Sequence, residues 1–412
     1  MQTSFASDNY APAHPAVIKA LQEANDDYAP AYGKDLWTEN LAERLEEIFG
    51  WGCIGFPVLN GTGANVVSLM ASTPKWGAAI GTDIAHLNND ENGAPERVGG
   101  LKLLTQKSAV DGKLTPEDIE KWAHDVGDVH RAQPTVITLT QATEVGTVYQ
   151  PYELRELADT AHELGFGVHM DGARIANAAA YLGTGMRDLV TEVGVDLLSL
   201  GAAKNGGMLG EAVVVIGPGD ATTTLSADIR RAAIAAIPYL RKSTMQLASK
   251  TRFVSAQLLA LLGEPARVAG VQVPLEKRLW LRNARQANEM AQRLRAGIVE
   301  QFGADADAVN APRTMEAPTS RMVEAARAGL ETTPVTDQTY DGPIVRISRP
   351  TESNAVFATM PRDAAGRLRA KVPFYDWRDG ETPERVEVRW MCSWCTTEAE
   401  VDKFLKHLAD VV

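Results

Sequence analysis

The chain has 412 residues, 45% of them hydrophobic, which is enough for a large core and for more than one domain. Its net charge of -12, from 41 basic and 53 acidic residues, argues against nucleic acid or an anionic membrane as the main partner, though not against a local positive pocket. No apolar run approaches the roughly 20 residues that cross a bilayer, MQTSFASDNYAPAHP lacks the basic and apolar regions of a signal peptide, and three cysteines fit a reducing cytoplasm.

From about residue 56 to 217, short apolar runs alternate with helical patterns. Phe56-Pro-Val-Leu59 precedes a glycine-rich turn and an apolar stretch of helical character. Thr135–Thr140 reads as a buried strand and Tyr152–His162 as a helix, with apolar residues three to four apart. Further strands fall near 167–171, 196–200 and 211–216. This alternation predicts an α/β fold with a mostly parallel, covered sheet, whose ligands bind beyond the carboxyl ends of the strands. Residues 226–262 read as helical, and Leu279–Phe302 as a long helix that enters a second domain. Residues 303–345 read as an inserted loop with a short helix at Ser320–Gly329. Asn354–Ala358 and Arg385–Met391 are strand-like, and a threonine cap with an acidic first turn starts the last helix after Thr396. The expected division is an N-terminal arm (1–15), a large cofactor-binding domain (16–265) and a smaller C-terminal α+β domain (266–412).

Chemistry concentrates at two strand ends. Asp171 ends Gly167-Val-His-Met-Asp171, and Lys204 follows the apolar run from Val195. A carboxylate and a lysine one βα unit apart suit pyridoxal phosphate: the lysine condenses with its aldehyde, and the carboxylate keeps the ring nitrogen protonated. Taken singly, Lys204 fits a surface turn and Asp171 fits a cap on the following helix. Gly61-Thr62-Gly63-Ala64-Asn65 opens a helix after a strand, where backbone N–H groups favour an anion. It lacks the glycine spacing of a dinucleotide site and the lysine of a P-loop. His86 follows a strand end, where its ring could stack on a flat cofactor and move a proton. Arg389, inside an apolar strand, needs a partner: a substrate carboxylate or an internal ion pair. Arg174 is a second candidate for the carboxylate. Arg252, in the basic cluster from Leu240, is a candidate for an anionic cofactor, against a solvated helix face. Cys392 and Cys395 form a CxxC late in the chain. With only Cys53 besides, a four-cysteine zinc site is excluded, so packing cysteines and no metal are expected.

Together these residues resemble the L-threonine aldolase family, in its low-specificity or phenylserine aldolase-like branch. That family belongs to the fold type I pyridoxal-phosphate enzymes, near the β-eliminating lyases. Ser7-Asp8-Asn9, Tyr32-Gly-Lys-Asp35, Asn60–Asn65, His86 with Glu91, His169–Arg174, Lys204-Asn-Gly and Arg389 occur in the family's order. The resemblance implies a fold type I transferase-like fold and retro-aldol cleavage of L-β-hydroxy-α-amino acids to glycine and an aldehyde. Lys204 would bear the cofactor, with Asp171 at its ring nitrogen, His86 stacked on it and Gly61 and Thr62 at its phosphate. Arg389, Arg174 and Ser7 would hold the substrate carboxylate, and His86, directly or through a water held by Glu91, would take the β-hydroxyl proton. Tyr32 would reach a neighbouring subunit's site, implying a homodimer or homotetramer with active sites at the dimer interface. Two departures stand out. Ala203 replaces the usual Ser or Thr before the lysine, and Glu144 stands where many members have a second histidine facing the substrate. The alternatives are β-elimination or transamination on the same fold, and a non-enzymatic binding protein, against which intact Lys204 and Asp171 argue.

Overall fold

A computed structural model of the chain describes residues 3–219, 223–265, 274–303 and 344–412. The inserted loop expected at 303–345, with its helix at Ser320–Gly329, therefore lies almost wholly outside the described residues. Seven strands form the main sheet: β1 (Ile54–Val58), β2 (Gly77–Thr82), β3 (Lys102–Gln106), β4 (Gln133–Thr140), β5 (Gly167–Gly172), β6 (Leu197–Leu200) and β7 (Glu211–Val215). Their order is β1-β7-β6-β5-β4-β2-β3. The five strands from β6 to β3 run parallel, whereas β7 is antiparallel to both β6 and β1. Only residues 201–210 join β6 to β7, too few for a crossover helix, so the chain doubles back.

The helices in chain order are α1 (Pro15–Ala24), α2 (Leu36–Phe49), α3 (Gly61–Ser72), the short α4 (His86–Asn89), α5 (Ala94–Arg97) and α6 (Pro116–Glu120), then α7 (Pro151–Glu163), α8 (Ile175–Leu182), α9 (Thr224–Ser243), α10 (Arg252–Leu262), α11 (Leu279–Phe302), α12 (Arg362–Lys371) and α13 (Glu398–Ala409). They cover both faces of the sheet. Val58, Val213 and Val215 pack with Ala233 and Ile237 of α9 on one face. Met170, Leu198 and Val214 join the main core with α2, α7, α8 and α10 on the other. This two-sided burial is why β5, β6 and β7 are mostly apolar, with His169, Asp171, Ser199 and Glu211 as their polar members.

A second sheet, wholly antiparallel, has the order β10-β11-β9-β8, with β8 (Arg346–Ile347), β9 (Ala355–Pro361), β10 (Tyr375–Asp379) and β11 (Arg385–Met391). Its core joins Met360, Trp390 and Phe374 to Phe404 of α13 and Leu294 of α11. Phe5 from the N-terminal segment is part of that core, and its backbone bonds to Pro373 and Met391.

The helical stretch expected over 226–262 is two helices, broken between Ser243 and Arg252, where Met245 takes a left-handed φ of 62°. Elements absent from the sequence reading include α1, α2, β3, α5, α6, β8, α12 and β10. The last two are polar: α12 buries only Ala364, Ala365 and Leu368, and β10 is an edge strand that is largely exposed. No helix among the described residues is long and apolar enough to cross a membrane.

Candidate active site

Parallel register sets Asp171 level with Thr140 and Ser199 at the carboxyl edge of the sheet. One Asp171 oxygen accepts from the Ala173 N–H at 2.9 Å, a local turn bond of the capping kind. The other accepts from the Asn65 amide, also at 2.9 Å. Asn65 lies on α3, just after the glycine turn, and the same amide nitrogen donates to Glu91 Oε1 at 2.9 Å. Glu91 Oε1 in turn meets His86 Nδ1 at 2.8 Å. A chain Asp171–Asn65–Glu91–His86 therefore crosses the sheet edge. An Nδ1–H donated to Glu91 leaves Nε2 with its lone pair outward. The Glu91 hydrogen bond raises the His86 pKa above the ordinary value, against the pull of burial. Glu91 Oε2 and Asn65 Oδ1 are buried and unpartnered among the described residues.

Glu144 approaches His86 from the loop after β4. Its Oε1 accepts from the His86 backbone N–H at 2.8 Å and from the Thr140 hydroxyl at 3.0 Å, while its buried Oε2 has no partner among the described residues. Burial pushes its carboxyl above the usual range.

Lys204 sits in a single turn, Ala203–Asn205, just past β6. Asn205 anchors this turn, donating to the Trp280 carbonyl and accepting from Asn283 of α11. No hydrogen bond or ion pair holds the Lys204 ammonium among the described residues. Burial, and then Arg174, hold Lys204 below the ordinary lysine value, with Asp8 and Asp171 opposing. The amine is thereby biased towards its neutral, nucleophilic form.

Arg174 grips Asp8 in a two-bond fork, Nε to Oδ2 at 2.7 Å and Nη2 to Oδ1 at 3.0 Å. Asp8 also accepts from Asn354 at 3.1 Å. Against the upward push of burial, Arg174 holds Asp8 below its ordinary pKa. One edge of Arg174 is thus already engaged by the chain itself.

Arg389 differs. Its guanidinium lies 5.1 Å from the Trp377 ring centroid and 5.9 Å from that of Tyr375. Its one hydrogen bond runs from Nη2 to the Ala6 carbonyl at 3.4 Å, and its buried Nε has no acceptor among the described residues. Burial, and then Arg174, push it down to about 10. Ser7, next to Ala6, caps the turn Asp8–Tyr10 by accepting from the Asn9 N–H at 3.2 Å.

Gly61 and Thr62 open α3, and their N–H groups have no acceptor among the described residues. Two steps on, a Cβ on Gly63 would fall 2.1 Å from the Gln246 carboxamide, which would have to move to admit it. Among the described residues no hydrogen bond or ion pair joins the Tyr32 or Arg252 side chain to this cluster. Tyr32 is half exposed, with a left-handed φ of 61° and Lys242 over its ring. Arg252 donates to the Asp27 carbonyl. Cys53, Cys392 and Cys395 are all free, and burial pushes Cys53 up to about 12. No metal-holding group of His, Cys, Asp and Glu occurs among the described residues.

Four residues tied to the cluster escaped the sequence reading: Asn65 as a bridge, Asp8 as the partner of Arg174, His169 and Glu211. His169 is wholly buried between the Thr138 hydroxyl (2.9 Å) and the Ser199 hydroxyl (3.0 Å), and burial pushes it down to about 4. The available signal was a polar residue inside an apolar run, as in Asn65-Val-Val-Ser-Leu-Met and Glu211-Ala-Val-Val-Val, because such a residue must find partners when buried.

The chain is 35% identical to a low specificity L-threonine aldolase of a Pseudomonas species, over 99% of this chain and 97% of that protein. It is also 35% identical to one from Pseudomonas aeruginosa, over 98% and 96%. The fold matches a threonine aldolase of Leishmania major with a TM-score of 0.77 at 23% identity, covering 99% of each chain. It matches a putative L-allo-threonine aldolase of Listeria monocytogenes at 0.62 and 15% identity, covering 100% and 97%. With the beta-eliminating lyase model matching residues 4–350 as well, the chain belongs to the beta-eliminating lyase family.

Proposed function

We propose that this protein holds pyridoxal phosphate on Lys204 and cleaves L-β-hydroxy-α-amino acids between Cα and Cβ, giving glycine and an aldehyde. The observation that carries this is the pairing of an unpartnered, pKa-depressed Lys204 with a fixed Asp171 at adjacent strand ends, in a chain 35% identical to low specificity L-threonine aldolases over nearly its full length. The donor set suits the cofactor. Lys204 would take the aldehyde, Asp171 the ring nitrogen, the His86 ring one face, and the free N–H groups of Gly61 and Thr62 the phosphate. When bound, that group supplies an electron-withdrawing ring, which takes up the electron pair of the breaking Cα–Cβ bond.

The chain's own residues then bind, orient and move a proton. Arg389 receives the α-carboxylate with its unengaged edge, beside Ser7, and Arg174 adds what its fork with Asp8 leaves free. This grip decides which bond at Cα is labilised, because several reactions are open to one cofactor. His86 takes the β-hydroxyl proton at Nε2, and Glu91 steadies the imidazolium through Nδ1. Glu144, with one buried free oxygen, holds the His86 backbone N–H and so helps to place the imidazole. The test is a product assay on L-threonine, L-allo-threonine and L-phenylserine. Glycine and aldehyde should appear in equal amounts; a keto acid with ammonia would instead assign β-elimination.

We also propose a homodimer or homotetramer with active sites at the dimer interface, in the cytoplasm. Support comes from the exposed apolar side chains Tyr28, Tyr32, Leu36, Tyr239 and Met245, and from three free cysteines. Sedimentation at assay concentration should find no active monomer.

A further inference from the structure

The loop that carries Lys204 is braced by an acid. Residues 202 and 203, just before the lysine, are alanines, whose side chains offer nothing to hold the backbone. Their N–H groups go instead to Glu211: Ala202 donates to Oε2, and Ala203 to Oε1 at 3.4 Å. Glu211 opens β7, where Ala212 pairs with Leu200 across the antiparallel turn-back, so its carboxylate reaches over the connecting loop. The residue is 8% exposed. Two N–H donors facing one side chain call for an acceptor on each arm, and a carboxylate has that where a carboxamide does not.

The position is costly for an acid. Burial pushes Glu211 up to about 7, opposed by the two N–H groups and by Lys204, while Asp171 pushes it further up. Lys204 and Asp171 are thus the charged neighbours. The facing residues of β1 and α3 carry no titratable group, and α9 meets β7 through Ala233 and Ile237. Lys204 itself feels Arg174, Asp8, Asp171 and Glu211. An acid kept at that cost, braced against the backbone beside an amine, points to a role beyond filling space.

We propose that Glu211 is a positioning residue for Lys204. It fixes the backbone immediately before the lysine and, when ionised, sets a negative charge near the lysine. This rests on the reading of Lys204 as the cofactor lysine, and Glu211 acts only through it.

The experiment compares the full-length protein with Glu211→Gln and Glu211→Asp. After loading with pyridoxal phosphate, the visible absorbance is titrated with pH, reporting protonation at the Lys204 nitrogen. In parallel, the rate at which trinitrobenzenesulfonate modifies Lys204 is followed by peptide mapping before the cofactor is added. Glu211→Gln keeps the reach but loses the charge and one of the two acceptors; both midpoints should fall, by on the order of one pH unit. Glu211→Asp keeps the charge but not the reach; its midpoints should stay near wild type while kcat drops about tenfold at unchanged KM. Midpoints in Glu211→Gln equal to wild type would overturn the electrostatic role, and full kcat in Glu211→Asp would overturn the positioning. Should Glu211→Gln not fold, Glu211→Asp decides alone. If the wild type takes up no pyridoxal phosphate, the proposed function fails, and the modification rates still decide on Glu211.

Discussion

Replacing Arg389 with lysine separates a substrate-binding arginine from a structural one. The side chain's internal ties are weak: one 3.4 Å bond to the Ala6 carbonyl, and its place over Trp377 and Tyr375. Their loss should lower stability by about 1 kcal/mol, the scale of a partly exposed cation–π contact. The planar fork is what a carboxylate would use, and losing one charge-assisted bond costs roughly 1.5–3 kcal/mol, or about ten- to over a hundredfold in kcat/KM. A lysine there would also sit in the burial and Arg174 field that push Arg389 down to about 10, so its charge would be weakened further as pH rises. Arg389→Lys should therefore melt close to wild type and load cofactor normally. Its kcat/KM should fall for L-threonine, L-allo-threonine and L-phenylserine alike, with the deficit widening above neutral pH. Unchanged kcat/KM across the three substrates would refute the assignment and move the carboxylate site to Arg174.

Borohydride reduction of the cofactor-loaded protein followed by peptide mapping should place the label on Lys204, and Lys204→Ala should fold without taking it; label on Lys242 instead would sink the assignment. Asn65→Ala withdraws a donor from both Glu91 and Asp171, which should cost roughly 2 kcal/mol in thermal or denaturant unfolding and depress kcat; a variant unchanged in both would mean that the bridge is dispensable. His169, pushed down to about 4, folds neutral but takes a proton when unfolded. Its contribution is full above about pH 6.5, is lost as pH falls towards 4, and amounts to roughly 3 kcal/mol. Unfolding titrations from pH 7 to 4 should show His169→Gln losing less stability than wild type over that window; parallel curves would contradict this.

Much of the fold was open to reading because local pattern carries it. Leu279–Phe302 shows a helical apolar stripe over its whole length, and α13 opens with a threonine cap and acidic first turn. The strands from β4 to β7 are apolar runs of strand length between helical patterns. By contrast, α12 and β10 have little apolar periodicity, since α12 buries only three side chains and β10 is a largely exposed edge strand. Of the two arginines expected at the substrate, nothing in the local sequence distinguished Arg174, forked onto Asp8, from Arg389, with its buried Nε unengaged.

Strand and turn signals are local, so Asp171, Lys204, His86 and the Gly61–Gly63 turn fall where short-range pattern puts them, at strand ends. Their wiring, by contrast, depends on how the chain closes on itself. Asn65 joins Asp171 to Glu91 across 106 and 26 residues, Asp8 meets Arg174 across 166, and Glu211 braces Lys204 only because β7 turns back beside β6. Such partnerships arise from the need of buried polar groups to find one another once the apolar layers have closed, and that need has no periodicity along the chain.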